Sequence, residues 1–185
     1  DQFGGQAEYE ILADVAVGVE YNGRRQGQTI EDMSPDDGNH YFIGNPGYGQ
    51  PFTVLEDGHS TIEGCTQAAI DDGRCLSTKG VETFDPATGR TIQVAFPKPE
   101  RSYDALTVFV RKNFSQNWQG SASYTYSYLR GNLAGPYREE DGQIDPGITS
   151  EYDLASLTAN RFGRLPGDRP HQVKLFGSYT FNLSQ

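Results

Sequence analysis

The chain has 185 residues, 35% of them hydrophobic, and carries a net charge of −10. This acidic balance argues against nucleic-acid binding, because no part of the sequence forms the basic stripe that such binding needs, and no run of eighteen apolar residues predicts a transmembrane helix. The abundance of Gly, Tyr and Phe, with 22, 11 and 10 residues, favours β structure with many turns over a helical bundle.

The first predicted element is residues 8–22, EYEILADVAVGVEYN, in which polar and apolar side chains alternate. A period of two is typical of a β-strand whose two faces meet different surroundings. We therefore predict one long strand here, with an apolar face formed by Tyr9, Ile11, Ala13, Val15, Val17, Val19 and Tyr21.

Residues 23–100 form a long connection that contains Cys65 and Cys75, ten residues apart. Neither cysteine stands in a CxxC or cysteine–histidine arrangement that would indicate zinc. We predict a disulfide between them, which would place the connection in an oxidising compartment; two free thiols are the alternative. Within the same connection, FDPATGRTIQV (84–94) predicts a short hairpin with its turn at DPATG.

Two more strands are predicted over residues 102–114 and 117–130, with only Ser115-Gln116 as a hairpin link between them. The second of these, NWQGSASYTYSYLR, alternates strictly between small polar residues and Trp, Gly, Ala or Tyr. The first alternates less strictly, because Phe109 stands opposite its apolar positions.

The last predicted strand covers residues 169–183, after a second long connection over residues 131–168. The two connections hold the whole negative charge of the chain, −6 in residues 23–100 and −4 in residues 131–168. Because short and long connections alternate along the chain, the long ones lie at one end of the predicted sheet. Acidic connections there would concentrate cationic solutes.

Two kinds of candidate binding residue lie in these connections. Aspartates in Asp-Gly-rich stretches could bind calcium through hard oxygen ligands, although none matches a twelve-residue calcium loop and solvated turns are the alternative; they are Asp36, Asp37, Asp141 and Asp145. Aromatic rings could stack on sugars or grip peptides, or pack the connections against their neighbours; they are Tyr48, Phe52 and Tyr137. No cofactor other than this calcium is predicted.

The apolar strand faces meet either a second sheet, in a soluble β-sandwich, or lipid, in a membrane β-barrel. Strand length favours the barrel, because about fourteen residues tilted near 45° rise roughly 33 Å, enough to cross the apolar band. The polar faces also carry carboxylates that a wet lumen would solvate and a dry core would not. We therefore predict an all-β fold, a segment of an antiparallel transmembrane β-barrel with about four long strands.

Aromatic side chains are expected at the two water boundaries of such a barrel. If the Ser115-Gln116 turn is periplasmic, one boundary is marked by Tyr9, Phe114, Trp118 and Phe181. The opposite boundary is then marked by Tyr103, Tyr126 and Tyr128.

Three stretches resemble TonB-dependent outer-membrane receptors. RSYDALTVFVRKNFSQNWQGSASYTYSYLRGNLAG is similar to the barrel hairpins of that family, and GRLPGDRPHQVKLFGSYTF is similar to the strand that follows. GVEYNGRRQGQTIEDMSPDDGNHYFIGNPG resembles the large-loop subgroup whose members carry an N-terminal carboxypeptidase-like regulatory domain.

The resemblance implies a 22-stranded barrel in the bacterial outer membrane, closed by a plug domain that this chain does not contain. It also implies that the long connections are extracellular, the short turns periplasmic, and that the parent protein binds and imports a small-molecule or peptide ligand. The implied partners are outer-membrane lipid and an inner-membrane energising complex.

Four strands cannot close a barrel, so we expect residues 1–185 to be part of one β-barrel domain, either an interior slice or one chain of an assembly. The alternatives are a passive porin and a soluble carbohydrate-binding β-sandwich. We predict no enzyme activity, because the sequence contains neither G-x-S-x-G nor HExxH.

Overall fold

The computed structural model describes residues 1–34, 41–49, 51–54, 60–61, 64–72, 74–77, 81–85, 90–94, 96–135 and 150–183. The chain divides into two compact units. The first, called here the sheet unit, comprises Asp1–Arg25, Ser102–Arg130 and Arg164–Gln185; the second, the connection unit, comprises Gln26–Arg101 and Gly131–Gly163.

The described elements are almost all strands, which confirms the predicted all-β class. In chain order they are β1 (Gln2–Leu12), β2 (Val15–Gln26), β3 (Glu31–Met33), β4 (Phe42–Gly44), β5 (Pro51–Val54), β6 (Ser60–Thr61), α1 (Gln67–Asp71), β7 (Leu76–Ser77), β8 (Val81–Asp85), β9 (Arg90–Val94), β10 (Arg101–Ser115), β11 (Trp118–Gly131), a 3-10 turn (Ala155–Thr158), β12 (Gly163–Arg164) and β13 (His171–Tyr179). No helix in the described part of the chain is long and apolar enough to span a membrane.

The long strands form one antiparallel sheet in the order β1-β2-β10-β11, with β12 and β13 both paired to β11. In this sheet β11 and β13 pair from Trp118↔Tyr179 to Tyr126↔His171. Residues directly opposite each other in such a pair lie on the same face, so the register aligns the apolar positions of neighbouring strands.

The prediction of a single strand over residues 8–22 is wrong, because a turn at Ala13-Asp14 divides this stretch into the hairpin β1–β2. Tyr9 pairs with Val17 and Leu12 with Val15, and a register shift between Glu10 and Leu12 marks a β-bulge. The bulge and a turn without Gly, Pro or Asn preserve the alternation of the sequence, which is why periodicity alone does not reveal the turn.

The second hairpin, β10–β11, closes through the two residues Gln116-Asn117, one position later than predicted. Their φ angles are +50° and +70°, so both residues adopt the left-handed conformation that a type I′ turn requires. This turn matches the right-handed twist of paired strands, and it holds β10 and β11 together at the short-turn end of the sheet.

The connection unit contains short antiparallel pairs: β3 with β4, β5 with β6 and β7, and β8 with β9. The β8–β9 pair, from Val81↔Val94 to Asp85↔Arg90, is the hairpin that the sequence predicts. The core of this unit is a cluster of buried side chains, namely Met33, Phe96, Leu133 and Tyr152.

Asn132 links two backbone segments of the connection unit, the one just before β10 and the one just after β11. We call these hydrogen bonds the Asn132 clamp. Its backbone N–H donates to the carbonyl of Glu100 at 2.9 Å, and its side chain accepts from the Glu100 N–H at 2.6 Å and donates to the Lys98 carbonyl at 3.0 Å. The neighbouring Gly131 lies so close that a Cβ there would be 1.9 Å from the Glu100 oxygen.

Candidate functional site

The sheet unit has one apolar face that no second layer covers within its described residues. Tyr9 is 73% exposed, Val173 65% and Leu175 78%, although all lie in the interior of long strands. Monomeric soluble proteins rarely expose a contiguous apolar patch of this kind. The apolar face includes Phe3, Tyr9, Val17, Val19, Tyr21, Leu106, Val108, Val110, Trp118, Ala122, Tyr124, Tyr126, Val173, Leu175 and Tyr179.

The opposite face is polar and internally hydrogen-bonded. Glu8 pairs with Arg111, and the hydroxyls of Thr107 and Thr125 lie 2.8 Å apart. Phe109, the residue that interrupts the alternation of its strand, lies over Gly18; an aromatic ring on a neighbouring strand is the usual cover for a strand glycine. The exception in the sequence pattern therefore has a local packing role.

At the short-turn end, the predicted interface aromatics Phe114, Trp118 and Phe181 are exposed. The Phe181 ring lies beyond the end of β13 with its centroid 4.7 Å from that of Tyr179. Tyr9 is nearer the middle of the face than this group. The role of all four as membrane-boundary residues stays a prediction.

At the long-connection end, Tyr126 and Tyr128 lie on the apolar face by the alternation of β11. Tyr103 differs from the expectation. Asp104 and Leu106 of β10 lie on the apolar face, so Tyr103, which is one residue before Asp104 in the same strand, lies on the polar face.

A cluster of polar side chains, which the sequence does not predict, links the β1–β2 turn to the β10–β11 hairpin at the short-turn end of the sheet. The Lys112 ammonium, only 11% exposed, donates to an Asp14 carboxylate oxygen at 2.8 Å and lies 4.5 Å from the centre of the Trp118 ring. The Ser115 hydroxyl donates to the same carboxylate. The hydrogen bond from Lys112 and then that from Ser115 lower the pKa of Asp14.

This cluster makes stability depend on pH in a defined direction. A carboxylate whose pKa is lower in the folded state stabilises the fold above its unfolded pKa of about 3.9, and this contribution is lost as the pH falls through the lower folded value. We expect Asp14→Asn to destabilise the sheet at neutral pH, with the gap to the unsubstituted protein narrowing below about pH 4. Urea unfolding at a series of pH values measures the gap.

The matched comparison is made in a Lys112→Met background. There Asp14→Asn should have a smaller effect at neutral pH, since the ammonium that stabilises the carboxylate is gone. A gap of the same size and pH dependence in both backgrounds would show that the pair does not act as described.

A second cluster lies on the apolar face at the long-connection end. Tyr21 donates to Asp104 at 2.6 Å, and the Arg25 guanidinium donates to the same carboxylate at 2.8 Å. The Arg25 guanidinium also lies 5.4 Å from the centre of the Phe3 ring. Polar groups therefore begin where the apolar rows of β1, β2 and β10 end.

The Tyr128 ring lies at the same end of the sheet and has arginines of β11 and β12 over it. The guanidinium carbons of Arg130 and Arg164 lie 5.8 and 5.0 Å from its centre. Asp168 is 3.5 Å from the Arg164 guanidinium and also accepts the Leu129 N–H at 2.8 Å. The sequence alternation could have indicated two of the arginines in these clusters. Arg25 is four residues after Tyr21 and Arg130 is two residues after Tyr128, so each lies on the same strand face as that tyrosine.

The candidate ligand residue Tyr48 makes contacts inside the connection unit. Its hydroxyl donates to the Gly27 carbonyl, and the Lys98 ammonium lies 4.7 Å from its ring centre. These contacts fix the ring against its neighbours, in line with the packing alternative. Phe52 lies in β5 but its side chain is outside the described residues, and so is Tyr137 as a whole.

The calcium candidates Asp36, Asp37, Asp141 and Asp145 also lie outside the described residues. Within the described ranges, no group of three His, Cys, Asp or Glu side chains is placed to hold a metal ion. The calcium hypothesis therefore stays a prediction.

Cys65 and Cys75 form a disulfide, with their Cα atoms 5.8 Å apart. The bridge encloses α1, and the N–H groups of Arg74 and Cys75 donate to the Ala69 carbonyl at the end of that turn. The pairing is the one that the sequence predicts.

The buried acidic residues of the connection unit surround Tyr152. Glu151 accepts the Ala134 N–H at 2.9 Å and lies 3.4 Å from the Arg161 guanidinium. Burial raises the pKa of Tyr152, and burial followed by the charge of Asp32 raises the pKa of Asp153.

An antiparallel sheet of long strands, with one exposed apolar face and one hydrogen-bonded polar face, is typical of the class of proteins whose strands cross a lipid bilayer. Consistent with this class, the chain is 38% identical over 178 residues, or 96% of its length, to the TonB-dependent transporter Oar of Myxococcus xanthus. This similarity supports the TonB-dependent receptor family.

The chain spans 13% of the length of that relative. No family model matches the chain. No solved structure matches it significantly either.

Proposed function

We propose that this chain is part of the β-barrel of a TonB-dependent receptor, which binds a ligand at its extracellular loops and imports it across the bacterial outer membrane. The observation that carries the proposal is the uncovered apolar face of the sheet unit, with Val173 and Leu175 among its most exposed residues. In water such a face would cost about 25 cal/mol for each Å² of apolar surface left exposed, whereas lipid removes this cost.

The open edges of the sheet support a larger barrel. Within the described residues, β1 pairs with β2 alone and β13 with β11 alone. Unpaired strand edges are not tolerated in the hydrocarbon region of a membrane, so further strands must pair there. A parent protein of the length of Oar, of which this chain spans 13%, has room for those strands and for a plug domain.

The finer features of the proposal follow the family resemblance. They are an N-terminal carboxypeptidase-like regulatory domain in the parent protein, an inner-membrane energising complex as partner, and an orientation with the connection unit outside the cell. The similarity to a transporter favours a receptor over an enzyme and over a passive porin. The uncovered apolar face disfavours a soluble sandwich, in which a second sheet would cover it.

The proposal is tested by fractionating cells that express the full-length protein with an epitope tag. We expect the protein in the outer-membrane fraction, extractable only with detergent, and migrating faster on gels before heating than after, as folded barrels do. Recovery of a monodisperse protein in buffer without detergent would contradict the membrane assignment.

A further inference from the structure

A groove lies in the apolar face, between the short-turn end and the middle of the sheet. Two adjoining cavities of about 550 and 760 Å³ form it, and Val110 and Ala122 line both. Along β11 the lining runs from Trp118 to Tyr124. We call this surface the short-turn groove.

Small residues leave the space for the groove. Gly120 and Ala122 line it on β11, and Gly177 of β13 lies directly opposite Gly120. The Trp118 indole stands beside this gap, since a Cβ at Gly120 would lie 3.5 Å from the ring carbon Cζ3. The groove therefore has an open floor and an aromatic wall.

The end of the groove nearest the turns is polar, because Asp14 and Lys112 line it there. The Lys112 ammonium has three donors and already donates to Asp14, Asn113 and Ser115. Asp14 differs, since its side chain is 32% exposed and the hydrogen bonds from Lys112 and Ser115 both go to Oδ2. The polar end can therefore accept a further hydrogen bond from a cationic group at Asp14.

The groove has the depth of one membrane leaflet. Tyr124 is six residues after Trp118, and six residues at about 3.3 Å each, tilted near 45°, rise roughly 14 Å. Half of a hydrocarbon core is about 15 Å thick. Trp118, an aromatic residue of the kind that marks a membrane boundary, lies at the polar end, so the groove matches a hydrocarbon chain with its polar group at that boundary.

We propose that the short-turn groove binds an acyl chain of a phospholipid whose ammonium headgroup lies at Asp14. The inference rests on the proposed function, because it requires the apolar face to meet lipid. A phospholipid of the leaflet at the short-turn end supplies both parts, a hydrocarbon chain for the apolar lining and a cation for the exposed carboxylate.

The proposal is tested by photolabelling the full-length protein in detergent micelles with a phosphatidylethanolamine that carries a diazirine in one acyl chain. Labelling of the peptide that contains residues 118–124 is measured by mass spectrometry as the lipid concentration rises. We expect this labelling to saturate, as binding at a defined groove does. Labelling that rises in proportion to lipid concentration, as for bulk lipid, would overturn the proposal.

Ala122→Leu places an apolar side chain in both cavities. It should raise the half-saturating lipid concentration about tenfold, the effect of roughly ten lost carbon–carbon contacts. The matched control is Gly5→Leu, which adds a leucine to the same face opposite Tyr21, where a Cβ would meet no atom within 4 Å. It should leave labelling of residues 118–124 unchanged, and equal effects of the two substitutions, or none with Ala122→Leu, would overturn the groove as the site.

The headgroup contact is tested with a phosphatidylglycerol probe that has the same acyl chains. We expect the ethanolamine lipid to reach half-saturation at about two- to fivefold lower concentration, the range of an exposed ion pair. Asp14→Asn should remove this preference, whereas Asp104→Asn, which changes a carboxylate at the other end of the same face, should keep it. Equal affinity of the unsubstituted protein for both lipids would overturn the assignment of the headgroup to Asp14.

Two readouts separate this inference from the proposed function. Heat-modifiable gel migration shows whether each variant is folded, and for a variant that is not, saturation and headgroup preference of the unsubstituted protein decide. A folded outer-membrane protein with labelling that does not saturate overturns the inference alone, whereas recovery of the protein in the soluble fraction overturns both.

Discussion

Ala122→Arg should lower the free energy of unfolding in lipid vesicles by about 2–4 kcal/mol, the cost of a lipid-facing arginine near the middle of a bilayer. Ala122 lies in the interior of β11, opposite Leu175 on the apolar face. Urea titration of the full-length protein in vesicles, followed by tryptophan fluorescence, measures the loss.

The adjacent Ser121 provides the control, because it belongs to the polar face and pairs with Phe176. Ser121→Arg adds the same side chain to the same strand, and a wet lumen solvates it at little cost. If both substitutions destabilise the protein equally, or if neither does, the two faces do not meet lipid and water as proposed.

Gly131→Ala should destabilise the Asn132 clamp, the hydrogen bonds of Asn132 with Glu100 and Lys98, by about 3 kcal/mol. This is the upper range for a forced steric overlap, about 3 kcal/mol. The added Cβ would lie 1.9 Å from the Glu100 carbonyl oxygen and 2.9 Å from the Arg101 Cα. Because both neighbours are backbone, the chain itself must shift and the hydrogen bonds of Asn132 must lengthen. Hydrogen exchange of the Asn132 amide should accelerate by about a hundredfold.

Gly163→Ala is the control for this change, since a Cβ at Gly163 would meet no atom within 4 Å. We expect it to leave exchange at Asn132 unchanged. Slow exchange at Asn132 in the Gly131→Ala protein would mean that the two backbone segments do not approach as closely as described.

The sequence predicts three of the long strands and both of their faces, because alternation over a dozen residues leaves few other structures. β10, β11 and β13 fall within the predicted ranges or within about two residues of them. The disulfide and the β8–β9 hairpin are also predicted, since each depends on residues close together in the chain.

The β1–β2 turn could not be predicted from periodicity, because the bulge beside Ile11 keeps the apolar residues in step on both sides of Ala13-Asp14. The turn depends on a contact across strands, the carboxylate of Asp14 with Lys112 and Ser115, and such partners are known only once the register is known. The same limit applies to Arg25, Arg130 and Arg164, since the pairing of the strands, and not local sequence, brings these three residues to one end of the sheet.

The candidate ligand residues are less accessible to sequence patterns than the sheet is. The sequence offers Tyr48 as a ring that could hold a ligand or pack against its neighbours, and in the structure its hydroxyl and its ring both have partners within the connection unit. A tyrosine between glycines and prolines in a loop gives no sequence signal that separates these two roles. The part of the site formed by Phe52, Tyr137 and the four aspartates remains a prediction.

The strand order has a consequence for how the sheet assembles. Each hairpin, β1–β2 and β10–β11, is closed by a two-residue turn and can pair within microseconds, whereas β2 reaches β10 only after the 74 residues from Gly27 to Glu100 have been looped out. The entropy of that closure grows slowly with length, but non-local pairing still slows folding. The two hairpins are therefore the parts of this sheet that form fastest, and the pairings of β2 with β10 and of β11 with β13 are its long-range steps.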